Sequence, residues 1–186
     1  MNKEEMKNSV THPIRLDFID TKLPGKIGIT FCPGKYQKNA LSGCWNRDLD
    51  LDLQYISKYD SRNISTIVTL IQKYEFEQLN VENLPLKIRQ YGFNWLHLAL
   101  TDGSIPDHEW IDEWNKNKYR LIDSLNQNED IIIHCKGGLG RAGTVSAILL
   151  KEIGYNIEEA IQKVRQCRGN YAIESNQEEW LKEHYK

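Results

Sequence analysis

Cysteine is scarce in this chain of 186 residues, which has Cys32, Cys44, Cys135 and Cys167 and no others. None makes a C-x-x-C pair, so the pattern argues against a zinc knuckle and against a disulfide framework. The expected setting is a reducing cytoplasm, where thiols persist. Excess charge is also missing. Lys and Arg number 24 against 26 Asp and Glu, a net charge of −2, which gives no general attraction to nucleic acid or membrane. Apolar runs fall far short of a membrane span. No C-terminal lipidation box, internal repeat or low-complexity segment occurs. The opening Met1-Asn2-Lys3-Glu4-Glu5 is polar and acidic, unlike a signal peptide. What remains is one domain with enough residues for a substantial core.

Chemistry is concentrated in the run Ile131-Ile132-Ile133-His134-Cys135-Lys136-Gly137-Gly138-Leu139-Gly140-Arg141-Ala142-Gly143-Thr144. It reads as a buried strand, a glycine-rich loop and the first turn of a helix. The unpaired N–H groups of a helix start carry partial positive charge, and a glycine-rich turn lets further amides point at the same centre, a nest for anions. Arg141, five residues beyond Cys135, can add two parallel hydrogen bonds to phosphate oxygens. Thiols in such a field ionise more readily than at their ordinary ~8.5, and the thiolate is the reactive form. The loop therefore reads as a cradle for a phosphoryl dianion, formed by Lys136, Gly137, Gly138, Leu139, Gly140 and Arg141 with the Cys135 sulfur at its floor. His134 either donates a further hydrogen bond that orients the loop or is a structural strand-end residue.

Two other anion-binding signatures compete. Gly138-Leu139-Gly140-Arg141-Ala142-Gly143 is literally G-x-G-x-x-G, but a dinucleotide site needs a second strand with an acidic end about 20 positions on. Asn156 to Arg168 has helical periodicity instead. A nucleotide P-loop needs Gly-Lys-Ser/Thr, which is absent.

Along the chain, residues 1–13 are expected to be disordered and 14–186 to form the domain. Strands are expected at Ile14–Ile19, Lys26–Cys32, Ser65–Ile71, Trp95–Leu100 and Asp130–His134. Helices are expected around Leu49, Leu53 and Ile56, then over Leu84–Tyr91, Asp107–Asn128, Arg141–Ile153, Asn156–Arg168 (opened by the capping box Asn156/Glu159) and Glu174–Tyr185. Strands alternating with helices predict an α/β fold whose central, largely parallel sheet is flanked by helices. The loop then leaves the carboxyl end of a strand, where such folds bind ligands.

Phosphoryl transfer from an ester needs an acid for the departing oxygen, worth about 10²–10⁴-fold. The loop has no carboxyl. Leu100-Thr101-Asp102-Gly103-Ser104-Ile105-Pro106-Asp107 starts at a strand end on the same face, and Asp102 is the first candidate. Asp107 reads better as the N-cap of the following helix.

These residues together resemble the cysteine-dependent tyrosine and dual-specificity phosphatase superfamily, whose signature is His-Cys-x5-Arg with an upstream acid Asp. Here the match is His134, Cys135, Arg141 and Asp102. The nearer resemblance is to the kinase-associated phosphatase family, carried by Gly28 to Gly34, Asp102 to Asp107, His134 to Gly143 and Arg165 to Glu174. It implies a phosphotyrosine phosphatase-like fold and a two-step reaction. Cys135 attacks phosphorus, the loop amides and Arg141 hold the equatorial oxygens, and Asp102 protonates the leaving group and then activates water. It places Gln177 where relatives carry a water-positioning glutamine. It implies neither metal nor cofactor, and a phosphorylated protein as partner, with a kinase among the candidates. A phosphoinositide or small-molecule phosphatase, and a phosphopeptide-binding pseudophosphatase, are the alternatives. One departure stands out. Many relatives have Ser or Thr directly after the arginine, to stabilise the departing thiolate; here that position is Ala142, and Thr144 is the nearest hydroxyl.

Overall fold

Ile131, Ile132 and Ile133 have no solvent exposure, and a strand apolar on both faces belongs in the interior of a sheet. The computed structural model describes residues 6–40 and 42–185. Its main sheet contains β1 (Asp17–Ile19), β2 (Ile27–Phe31), β5 (Ile64–Thr69), β6 (Asn94–His97) and β7 (Asp130–Cys135). The order is β1-β2-β7-β5-β6, with only β1 antiparallel to its neighbour. β3 (Tyr36–Ala40) and β4 (Gly43–Asn46) form a separate antiparallel hairpin.

Successive side chains of β7 face opposite layers. Ile131 and Ile133 pack with Trp110, Trp114, Leu121 and Leu125 of α4 (His108–Asn126) and with α5 (Arg141–Glu152), α6 (Ile157–Arg168) and α7 (Ser175–His184). Ile132 packs on the other face with α1 (Leu49–Ser57), α2 (Lys73–Gln78) and α3 (Leu84–Gln90) through Leu53, Ile56, Phe76, Leu84 and Ile88. The fold is thus the expected α/β layering. Among the described residues, no helix is long and apolar enough to cross a membrane.

Sequence periodicity did not reveal the hairpin or α2. β3 reads Tyr-Gln-Lys-Asn-Ala and buries none of its residues fully, so it carries no apolar alternation. α2 has six residues, of which only Phe76 and Glu75 are buried. The expected strand from Ile14 is ladder-paired only from Asp17. That from Trp95 ends at His97, after which Leu98 and Leu100 still donate to the carbonyls of Thr69 and Leu70. Of residues 1–13, the first five lie outside the described residues. Lys7 exchanges backbone hydrogen bonds with Cys44 and Asn46, 2.9 Å each.

Two glycines of the dinucleotide-like motif have steric reasons. A Cβ on Gly143 would lie 1.7 Å from the Ala172 carbonyl oxygen, where α5 meets the following chain. One on Gly138 (φ +69°) would lie 2.5 Å from the Thr30 backbone. The element after α5 is helix α6, not the strand a dinucleotide site needs.

Candidate active site

β7 is the central strand, and its carboxyl end brings Cys135 to the start of a loop, residues 136–140, that runs straight into α5. The carbonyls of this loop take donors from several parts of the chain. The Lys136 oxygen accepts from the Cys32 amide (3.4 Å) and from Lys35 Nζ (3.2 Å). Arg168 donates to the Gly138 carbonyl (2.9 Å) and the Gly137 carbonyl (3.5 Å) and is itself paired with Asp17. The Leu139 oxygen accepts from the Ala142 amide (3.0 Å), and the Gly140 oxygen from the amide and hydroxyl of Thr144, both 2.9 Å. The amides of 136–140 donate to no acceptor among the described residues. Within each planar peptide the C=O of one residue and the N–H of the next point in opposite directions, so the donors on the Lys136, Gly137 and Gly138 carbonyls turn the amides of Gly137, Gly138 and Leu139 the other way. The Cys135 Sγ donates to the Leu139 carbonyl oxygen at 3.2 Å.

Arg141 closes the site. Its side chain has no solvent exposure, yet its guanidinium is held from three directions. Glu75 accepts two hydrogen bonds, from Nη1 at 2.6 Å and Nη2 at 3.0 Å. The Leu100 carbonyl accepts from Nη1 at 3.0 Å, and the Asp102 carboxylate lies 3.0 Å from Nη2. Burial alone would discourage the charge, but the hydrogen bonds and negative charge of Glu75 hold the arginine protonated. Nε is buried without a partner among the described residues. A buried unpaired donor costs about 1–3 kcal/mol, a penalty that an oxyanion in the nest would remove.

His134 is fully buried, and burial pushes its pKa down to about 4. Its Nδ1 faces the Cys135 carbonyl at 3.4 Å and its Nε2 faces Thr69 Oγ1 at 2.8 Å. A carbonyl only accepts, so the proton sits on Nδ1 and Nε2 accepts from the Thr69 hydroxyl. Thr69 Oγ1 accepts in turn from Trp95 Nε1 at 2.9 Å. Both readings of His134 therefore apply: it is structural, and it fixes the backbone at the cysteine. Lys35, almost fully buried, is pushed down to about 8 by burial and braces the same loop at Lys136.

The other sequence candidates fall as follows. Asp102 is exposed at the mouth and touches Arg141. Asp107 caps α4, accepting from the Trp110 amide at 2.8 Å. Gln177 is fully buried at the start of α7 and donates to the Ser104 carbonyl at 3.1 Å. The Thr144 hydroxyl is bound to the Gly140 carbonyl within its own helix, which is not the thiolate-facing role open to it from sequence. Glu75, Lys35 and the bracing role of Arg168 escaped sequence reading. Glu75 carried one faint signal, the capping box it makes with Gln72, whose amide donates to it at 2.7 Å.

A family model described as "Polymorphic toxin system, DSP-PTPase phosphatase" matches residues 50–154, more than half the chain and a span that holds Glu75, Asp102, Cys135 and Arg141. The chain belongs to this DSP-PTPase family. A cyclin-dependent kinase inhibitor 3 from Rattus norvegicus is 32% identical over 139 residues, covering 73% of this chain and 64% of the relative. The chain thus spans somewhat under two thirds of that protein's length. The PRL-1 phosphatase of Drosophila melanogaster is 29% identical over 133 residues, 70% of this chain and 68% of the relative. A crystal structure of kinase-associated phosphatase, with its catalytic-site cysteine changed to serine, superposes with a TM-score of 0.80 at 26% identity, covering 92% of this chain and 94% of that one. The DSP-PTPase assignment agrees with the α/β topology.

Two measurements check this geometry. Glu75→Ala leaves a buried guanidinium without its main counter-charge and should cost about 3 kcal/mol of stability by denaturant unfolding; an unchanged midpoint would show that Arg141 is held by other groups. His134 titrates near 6.5 when unfolded and about 4 when folded, so across that window the native state binds fewer protons and stability is lost as pH is lowered. His134→Gln should flatten the decline between pH 6.5 and 4; parallel profiles would contradict a neutral buried imidazole.

Proposed function

We propose that the protein hydrolyses phosphate monoesters on proteins, phosphotyrosine and also phosphoserine or phosphothreonine, through a phosphate carried on Cys135. The observation that carries this reading is the donor set. The amides of 136–140 and Arg141 Nε have no acceptor among the described residues, and the loop that carries them begins at Cys135. Such preorganised donors stabilise charge developing on equatorial oxygens.

In the first step the Cys135 thiolate attacks phosphorus, an S–P bond forms and the ester P–O bond breaks. Asp102, at the mouth, gives its proton to the leaving oxygen. In the second step Asp102, now a carboxylate, takes a proton from water, the water oxygen attacks phosphorus and the S–P bond breaks, returning the thiolate and inorganic phosphate. Arg141 contributes its fixed charge to both steps. Ala142 offers the departing sulfur no hydroxyl, and Thr144 has committed its own to Gly140, so the second step is the slower one.

The likeness to a cyclin-dependent kinase inhibitor 3 and a kinase-associated phosphatase supports a phosphorylated protein, a kinase included, as substrate. All four cysteines are free, in keeping with action in the cytoplasm. Lys136 is the loop's only basic residue before Arg141, thin support for an inositol polyphosphate. The assembled Cys135, Arg141 and Asp102 weigh against a pseudophosphatase.

Hydrolysis of para-nitrophenyl phosphate should persist in EDTA and vanish in Cys135→Ser. Asp102→Ala should lower turnover by about 10²-fold or more, and phosphopeptides should outpace inositol phosphates. Activity retained in Cys135→Ser would end the thiolate mechanism, and a preference for inositol phosphates would move the substrate class to phosphoinositides or other small-molecule phosphates.

A further inference from the structure

The acid-bearing loop is exposed, yet five consecutive residues in it are each engaged by another part of the chain. Leu100 and Asp102 meet Arg141. Thr101 Oγ1 accepts from Gln72 Nε2 at 3.2 Å. The Gly103 carbonyl accepts from Asn176 Nδ2 at 2.9 Å and the Ser104 carbonyl from Gln177 Nε2 at 3.1 Å. Pro106 is buried, and Asp107 caps α4 directly after it. Neutral side-chain amides on two adjacent positions of α7 thus hold two adjacent carbonyls of the loop.

The Gln177 amide is committed at both ends. Its Nε2 is on Ser104, and its Oε1 accepts from the Glu174 amide at 3.2 Å. It has no exposure to solvent. In this arrangement it ties α7 to the acid loop, with one Nε2 hydrogen and one Oε1 lone pair still open. Asn176, by contrast, is exposed and makes its bond to the loop without contributing to the core.

We propose that Asn176, seconded by Gln177, is a positioning residue that holds the Asp102 loop over the phosphate cradle, so that the acid loop works as a fixed strut and not as a lid. The proposal rests on the phosphatase reading for its kinetic consequence and on hydrogen bonding alone for its structural one. Loss of the Asn176 bond frees the loop at Gly103, next to the acid, while Cys135, the loop amides and Arg141 keep their places. Protonation of the leaving group suffers and oxyanion binding does not.

The test is Asn176→Ala in the full chain, which folds normally because the side chain is exposed. On phenyl phosphate, whose leaving group needs a proton, kcat should fall by about fivefold, the weight of one hydrogen bond. On para-nitrophenyl phosphate, whose leaving group is a weak base, the fall should be smaller. KM and the inhibition constant for vanadate should not move. In an Asp102→Ala background, Asn176→Ala should have no further effect, because the group it positions is gone. Amide hydrogen exchange of peptide 100–106 should quicken in the variant. Equal losses on the two esters, full additivity with Asp102→Ala, or unchanged exchange would overturn the strut. Absence of any hydrolysis lost in Cys135→Ser would instead overturn the phosphatase reading, and the exchange measurement would still decide whether Asn176 holds the loop.

Discussion

Successive peptide groups can present their amides to one centre only if the carbonyls that share their planes are held facing away. That constraint governs the molecule around residues 136–140. Each loop oxygen needs a donor, and the donors are Cys32 and Lys35 after β2, Arg168 at the end of α6, and, nearer in sequence, Ala142 and Thr144 in α5. A loop of this kind would otherwise be mobile; here it is braced on all sides by secondary structure whose packing is already fixed by the core. The apolar run of β7 serves the same end, because a fully buried central strand leaves no freedom in where Cys135 emerges.

Charge is arranged on the same plan. Arg141 is buried and would be unfavourable there without Glu75, which faces it with two oxygens. The pair leaves Nε without a partner among the described residues, so the guanidinium is fixed in orientation while keeping a donor to spare. Asp102 touches the same arginine from the solvent side. One cation therefore links the cradle, the acid loop and α2, and a change at any of the three is felt by the others. His134 is kept neutral by burial and joined to Thr69 and Trp95, which fixes the strand end behind the sulfur without placing a second positive charge there.

Much of this was legible in the sequence. The run from Ile131 to Thr144 carries apolar length, glycine and a Cys–Arg spacing in one stretch, so strand, loop and helix could be read locally, and Asp102 followed from its place at a strand end. Asp107 declared itself a cap by its position before a long amphipathic helix. The residues that escaped are those whose role is a tertiary contact. Glu75 lies 66 positions before Arg141, in a helix too short to show a period. Lys35 sits beside a hairpin with no apolar alternation, and Asn176 looks like any polar residue in a helix's first turn. Gln177 was placed by resemblance, but its burial and its bond to Ser104 depend on how α7 docks. The glycines that mimic a dinucleotide motif show the reverse: Gly138 and Gly143 are required by close backbone approaches, which a spacing rule cannot distinguish from a nucleotide contact.

The central claim is that the nest and Arg141 hold a phosphoryl group on Cys135. The most direct measurement is mass spectrometry of enzyme quenched in acid during turnover of a fast aryl phosphate. One phosphate should be found on the peptide containing Cys135, abundant because Ala142 lacks the hydroxyl that speeds its departure, and scarcer in Ala142→Ser. Full turnover with no phosphate on Cys135 at any quench time in either protein would contradict the account.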